Sequence, residues 1–147
     1  MDNTISITEI KNTINIANDL NICKYDLLDN IKNNETNFEV DNYTFLTENE
    51  ALNEVINMYS CDNYILGCFN ADFIEDFITL DYDSIKVLQE GEQFDIIGKL
   101  IMNSGNLNDM MAEYIRLDGY GHALNSYDGN NDELTINSTD FIVYRNN

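Results

Sequence analysis

The sequence predicts a helix-rich α+β fold: a single acidic domain over residues 1–147, in which helices pack on a small antiparallel sheet. Three observations support this prediction. A chain of 147 residues of which 44% are apolar can bury one core. Apolar residues recur every three to four positions over most of its length, which indicates helices. An internal segment and the C-terminal segment alternate instead, and because an isolated hairpin is marginally stable, we expect the two to join in one sheet.

The apolar pattern assigns the elements in order along the chain. A first pair of helices leads through a polar loop into a short hairpin, five further helices follow, and the chain closes on two strands. The predicted helices cover residues 7–21, 25–31, 47–59, 64–78, 83–90, 94–102 and 107–117, and the predicted strands lie at 38–40, 43–45, 134–136 and 141–144.

Two of these helices carry additional local signals. Thr47 and Glu50 have the spacing of a capping box, in which Thr47 accepts from the amide of Glu50 and the Glu50 side chain reaches back to the amide of Thr47. Residues 64–78 place aromatic and aliphatic side chains on one side and acidic side chains on the other. This pattern predicts one amphipathic helix with an acidic solvent face.

Negative charge is the most informative feature of the composition. The chain has 27 Asp and Glu against 7 Lys and Arg, a net charge of −20. An AT-rich genome would explain the many Asn and Ile residues, but it would enrich Lys equally, and only five lysines occur. The charge excludes direct binding of nucleic acid, which is itself an anion, and suits the chain to a basic surface on another protein. General solvation and a salt-adapted cytoplasm remain the alternative explanations.

The acidic residues are dense between residues 72 and 95, where Lys86 is the only positive charge. Duplex DNA carries one charge per roughly 1.7 Å of its axis, a density that one helix cannot reach. A surface that mimics DNA must therefore combine several helices and loops. The candidate partner-binding residues are Asp72, Glu75, Asp76, Asp81, Asp83, Glu90, Glu92 and Asp95.

A glycine-rich motif follows the last predicted helix. The chain reads D-G-Y-G-H from residue 118, Y-D-G from residue 127 and Y-R-N-N from residue 144. This signature resembles the C-terminal part of small proteins encoded by phages and other mobile elements, over roughly the last thirty residues. The resemblance implies a mobile-element origin and no known activity. The motif residues are Asp118, Gly119, Gly121, His122, Tyr127, Asp128 and Gly129.

The resemblance and the charge together predict an anti-defence protein of the anti-CRISPR or antirestriction kind. Such a protein would bind the DNA-binding surface of a CRISPR effector or restriction enzyme by DNA mimicry, without catalysis. A rival within the same class is an inhibitor or adaptor that binds a defence effector at another surface. The sequence also leaves a homo-oligomer open.

His122 is the only histidine, and two interpretations apply to it. A small enzyme or ligand-sequestering protein would use it with Asp118 or Asp128 for acid–base chemistry or for binding. We favour a structural motif, in which His122 donates hydrogen bonds that fix a tight loop and the glycines supply backbone angles. Paired histidines and a nucleophile turn are absent from the sequence, so we predict no catalytic residue, no metal and no cofactor.

The remaining signals concern cysteines and location. Cys23, Cys61 and Cys68 are an odd number without CxxC spacing, so we expect reduced thiols, with Cys61 and Cys68 packed as small apolar residues. The sequence holds no apolar run of roughly 20 residues, and its first residues lack a signal-peptide pattern. We therefore expect a cytoplasmic protein without membrane contact.

Overall fold

A computed structural model describes residues 4–147, and it confirms the predicted α+β class with a four-stranded antiparallel sheet. The elements are α1 (Ile7–Leu20), α2 (Lys24–Lys32), β1 (Asn37–Val40), β2 (Tyr43–Thr47), α3 (Glu48–Ser60), α4 (Asn63–Gly67), α5 (Ala71–Ile74), α6 (Tyr82–Glu90), α7 (Phe94–Ser104), α8 (Leu107–Asp118), α9 (Tyr120–Leu124), β3 (Asp132–Ile136) and β4 (Thr139–Arg145).

These elements form two compact units. The sheet unit comprises the chain up to Ala51 together with Gly119–Asn147, and the helical unit is Leu52–Asp118. The prediction of one domain over residues 1–147 stays a prediction.

The two predicted hairpins join in one sheet, as expected. The strand order is β1-β2-β4-β3, and β2 pairs with β4 in antiparallel orientation. Both hairpin turns use residues in the left-handed region: Asp41 has φ 53° in the first, and Asn137 and Ser138 have φ 49° and 69° in the second. Asp and Asn tolerate this conformation, so a chain without proline still makes tight turns.

One face of the sheet packs against α1 and α2. Three phenylalanines form its centre: the rings of Phe38 and Phe45 stack at 4.9 Å, and Phe141 meets both edge-on. Leu27 and Ile31 of α2 belong to the same buried cluster. The start of α1 is also as predicted, since the Ser6 hydroxyl caps it by accepting from an amide in the first turn.

The predicted capping box is wrong in its geometry, although α3 has the predicted limits. The Thr47 hydroxyl donates to Glu50 Oε1 at 2.7 Å, a bond between side chains. The Thr47 amide donates to the Thr36 carbonyl at 3.2 Å, because Thr47 is still part of strand β2. The amide that Glu50 was expected to reach is therefore already used.

The single helix predicted over residues 64–78 is also wrong, because α4 ends at Gly67 and α5 begins only at Ala71. The Gln89 side-chain amide donates to the carbonyls of Gly67 and Phe69, at 3.0 and 2.8 Å. In a continuous helix those carbonyls would accept from amides four residues later. A side chain from α6 thus takes over the backbone bonds that would have continued the helix.

Helices α4 and α7 approach so closely that each needs a glycine. A Cβ on Gly67 would overlap the carbonyl of Phe94, and a Cβ on Gly98 would overlap the carbonyl of Asn63. The pairing of these positions shows that the helices run antiparallel. The other predicted helices of this unit, α6, α7 and α8, lie where expected.

The expected packing of Cys61 and Cys68 is wrong, because both side chains are exposed. Each follows directly after a helix end, outside the apolar stripe of that helix. All three cysteines are free thiols.

Buried Tyr114 forms a hydrogen-bonded pair with half-buried Tyr59 in the helical unit. Tyr59 donates its hydroxyl proton to the Tyr114 hydroxyl at 3.2 Å, and the rings meet edge-on. Burial raises the pKa of Tyr114 well above its ordinary value, and the hydrogen bond from Tyr59 acts in the same direction.

We expect this shift to destabilise the protein in alkali. A raised folded-state pKa gives stability that is fully present below pH 10, the unfolded value, and is lost as the pH rises further, by up to about 1.4 kcal/mol per pH unit. Urea unfolding at several pH values between about 9 and about 11.5 measures how the free energy of unfolding changes with pH. Tyr114→Phe should reduce the slope to the part that comes from Tyr120, whose pKa burial also raises, whereas Tyr127→Phe, at an exposed tyrosine, should leave it unchanged. Equal slopes in both variants would contradict the assignment.

Candidate partner-binding surface

The eight candidate carboxylates are all exposed and all belong to the helical unit. We call these eight residues the acidic surface. They come from α5, from the segment after it, from both ends of α6, from the α6–α7 connection and from the first turn of α7. Several elements contribute, as the charge density of DNA requires of a mimic. That the eight form one continuous face stays a prediction.

Two members of the acidic surface already have local roles. Asp81 caps α6 by accepting from the Ser84 amide at 2.8 Å. Hydrogen bonds from the Ser84 side chain and backbone lower the pKa of Asp81. Asp72 accepts from the amide of Phe73 at 3.0 Å. These carboxylates are therefore partly satisfied without a partner.

The other six members make no side-chain hydrogen bond or ion pair within residues 4–147. They are Glu75, Asp76, Asp83, Glu90, Glu92 and Asp95. No hydrogen bond or ion pair within the described residues holds these carboxylates. A partner's lysines and arginines would meet them without first breaking an internal bond.

Lys86 reduces the negative electrostatic potential of one part of the acidic surface. It lies three residues after Asp83 and four before Glu90, so all three occupy one face of α6. The two carboxylates are roughly 10 Å apart along the axis, and the lysine lies between them. The negative potential is therefore weaker along α6 than the number of carboxylates suggests. Elsewhere in the unit, Arg116 donates to the Glu113 carboxylate and neutralises it.

Exposed tyrosines accompany the carboxylates. Tyr64 is 53% exposed and Tyr82 is 44% exposed. Exposed aromatic rings of this kind can stack on planar groups of a ligand, as they stack on bases in proteins that bind single strands.

The three motif glycines each occupy a place that a side chain would strain. Gly119 and Gly129 have φ 85° and 73°, in the left-handed region. A Cβ on Gly121 would overlap the backbone of Gly129 and Asn130. Position 121 lies in α9, a short helical turn that the sequence did not predict. These glycines thus let two chain segments touch.

Asn125, which sequence reasoning missed, holds the loop that follows. Its side-chain nitrogen donates to the Asn130 carbonyl at 2.7 Å and to the Asp128 carboxylate. Its side-chain oxygen accepts from the amides of Tyr127 and Asp128, at 2.9 and 3.2 Å. Asn125 is 5% exposed. An Asn shortly before an Asp-Gly pair is a turn signal, and this signal could have indicated the role of Asn125.

The polar motif residues are placed as follows. Asp118 is the last residue of α8 in the helical unit, and His122 is exposed on α9 in the sheet unit. The Asp128 carboxylate accepts from Asn125 and from the amide of Asn130. The guanidinium of Arg145 lies over the ring of Tyr127, 4.7 Å from its centre. The contacts of Asp128 stay within the loop, and the Tyr127 contact connects the loop to β4.

Neither a metal centre nor a membrane span is found in the part of the chain that the structure describes. Among residues 4–147, no group of three or more His, Cys, Asp or Glu side chains is arranged to hold a metal ion. No helix of this part combines the length and the apolar character needed to cross a bilayer.

No protein-family model matches the chain, and comparisons with curated proteins and with solved structures also gave no match. The resemblance to mobile-element proteins therefore stays a prediction.

Proposed function

We propose that this protein is a non-catalytic anti-defence inhibitor from a phage or other mobile element. It acts in the host cytoplasm and binds a basic DNA-binding surface of a CRISPR effector or restriction enzyme by DNA mimicry. The observation that supports this proposal is the set of six exposed carboxylates without an internal partner, all within one compact unit. The mechanism needs no cofactor and no metal.

Binding draws on the physics by which the same surface holds DNA. When lysines and arginines bind DNA, the cations condensed on the phosphates are released, and docking of a carboxylate-rich surface on the same side chains likewise releases counterions and ordered water. A net charge of −20 also steers the two proteins together before contact. Both contributions weaken when salt screens the charges.

The first test is competition with DNA on a purified nuclease of the proposed class. Raising the salt from about 50 mM to about 500 mM should reduce affinity steeply, and labelled duplex DNA should compete with the protein. Affinity that stays constant over this range would contradict the proposal. Full binding in the presence of saturating DNA would favour the rival inhibitor that uses another surface.

Neutralising the six free carboxylates should weaken binding on the order of 100-fold. Each exposed ion pair contributes about 0.2–1 kcal/mol, so six together contribute on the order of 3 kcal/mol. The variant replaces each Asp by Asn and each Glu by Gln at residues Glu75, Asp76, Asp83, Glu90, Glu92 and Asp95. Titration calorimetry at low salt measures the change.

A matched control removes the same charge from the sheet unit. It makes the same replacements at three Asp and three Glu that are exposed and form no side-chain hydrogen bond within residues 4–147. The loss of net charge alone should cost less than about fivefold in affinity. Equal losses in both variants would show that binding follows net charge and not the acidic surface. The control residues are Asp19, Asp26, Glu35, Glu48, Asp132 and Glu133.

A further inference from the structure

A cleft of about 430 Å³ opens beside the acidic surface. It lies in the helical unit, between residues 76–80 and the end of α7 with the turn that follows. Its volume is near the lower limit of ligand pockets, which span about 300–1,000 Å³. Such a space accepts one long side chain and is too small for a docked helix.

The walls of the cleft are held by hydrogen bonds across it. The Asn106 side-chain amide donates to the Phe77 carbonyl at 2.8 Å and so ties the 76–80 segment to the α7–α8 turn. The Ser104 hydroxyl accepts from the Asn106 amide at 3.0 Å and donates to the Ile101 carbonyl at 2.6 Å. The turn itself contains Gly105 with φ 78°. The cleft is therefore formed before any ligand enters.

The cleft is lined by apolar side chains and by polar side chains, and none of the lining residues is basic. Ile78, Leu80 and Leu100 supply apolar walls, and Leu100 is 37% exposed. The Asp76 carboxylate and the Asn103 side chain make no hydrogen bond within residues 4–147, and the lining includes no lysine or arginine. The lining thus combines apolar walls with one acidic and one amide side chain that have no hydrogen bond within the described residues.

We propose that this cleft binds an arginine side chain of the basic partner. Arginine combines an apolar stem with a planar cation that carries five donors and is weakly hydrated. Its stem fits against the leucine and isoleucine walls, and its guanidinium meets the Asp76 carboxylate and the Asn103 amide oxygen. Lysine has a similar stem but a compact, strongly hydrated ammonium with three donors. The proposal rests on the proposed function, because it names the partner group that one part of the acidic surface takes.

The test titrates the ¹⁵N-labelled full chain with Nα-acetyl-arginine amide at low salt and follows the amide signals by NMR. Nα-acetyl-lysine amide keeps the charge, and Nα-acetyl-citrulline amide keeps the shape without the charge. We expect saturable shifts at residues 76–80 and at the side-chain amides of Asn103 and Asn106. Arginine amide should bind at least about threefold more tightly than lysine amide and about tenfold more tightly than citrulline amide. Equal binding of the three probes, or shifts spread over all exposed carboxylates, would overturn the proposal.

Two single variants locate the interaction. Asp76→Asn should weaken binding of arginine amide about tenfold, the effect of losing one charge-assisted hydrogen bond. Asp109→Asn makes the same substitution at an exposed residue of the helical unit that belongs neither to the acidic surface nor to the cleft lining, and it should leave the affinity unchanged. The NMR spectrum recorded before any probe is added shows whether each variant is folded. Identical behaviour of the two variants would overturn the assignment.

The outcomes also separate this site from the proposed function. If DNA competition on the nuclease fails but arginine amide binds in the cleft, the site stands and the partner is a basic protein of another kind. If competition succeeds but arginine amide does not bind, the cleft proposal falls and the proposed function remains.

Discussion

Gly98→Ala should lower the free energy of unfolding by about 3 kcal/mol. In an exposed helix the same substitution would stabilise by about 1 kcal/mol, because alanine is the better helix former. Here the added methyl would overlap the Asn63 carbonyl, and backbone cannot rotate aside as a side chain does. Helices α4 and α7 would have to separate, with the cost of a core overpacked against backbone. Urea unfolding followed by circular dichroism measures the change as a lower midpoint.

Gly91→Ala is the matched control for this prediction. Gly91 has φ −84°, and a Cβ there would lie 3.5 Å from the Val87 carbonyl oxygen, an ordinary contact. Its effect should stay within about 0.5 kcal/mol. If Gly98→Ala unfolds at the same urea concentration as Gly91→Ala, the close approach of α4 and α7 is refuted.

Asn125→Ala should cost about 3 kcal/mol, the second large effect. The substitution removes two donated and two accepted hydrogen bonds at a site that is 5% exposed. Buried groups that lose their partner cost about 1–3 kcal/mol each, and water can reach only part of this loop after truncation. Thermal unfolding should show the loss as a lower Tm.

Asn130→Ala serves as its control. The Asn130 side chain is exposed, and the loop uses only its backbone amide and carbonyl. The variant should stay within about 0.5 kcal/mol of the native chain. A large loss in Asn130→Ala together with a small one in Asn125→Ala would show that another side chain holds the loop.

Most of the fold could be predicted from the sequence because its determinants are local. The hairpin has apolar residues at Phe38, Val40, Tyr43 and Phe45 around an Asp-Asn turn, and α1 has a regular apolar stripe. The joining of the two hairpins followed from a general argument, since neither buries enough apolar surface alone.

The failures arise where a distant residue changes a local outcome. Residues 64–78 do have helical spacing, but the side chain of Gln89, in α6, donates to the carbonyls of Gly67 and Phe69. Those carbonyls would otherwise accept the bonds that continue the helix. Gly67 and Gly98 look like weak points of a helix until the facing backbone is known. The cleft depends on Asn106, whose bond to Phe77 joins segments that no periodicity connects.

The candidate site, like the fold, was predictable where local properties decide and not where a less conspicuous residue makes the contacts. That the candidate carboxylates are exposed could be predicted, because charged side chains are almost never fully buried. The sequence motif contains the only histidine, His122, but Asn125 outside the motif makes the contacts that hold the loop. Uncommon residue types attract functional interpretation, whereas asparagine passes as a generic loop residue.

The division into two units has a consequence for how a partner finds the right side of this molecule. The helical unit contains 13 acidic residues (Asp and Glu) and 3 basic residues (Lys and Arg). The remainder of the chain contains 14 acidic and 4 basic residues, so each part has a net charge of −10. The two parts therefore attract a cationic protein with equal net charge, and salt screens that attraction over a Debye length of about 10 Å. Attraction at a distance is thus a property of the entire polypeptide. Correct orientation must arise within the last few ångströms, from the shape of individual contacts.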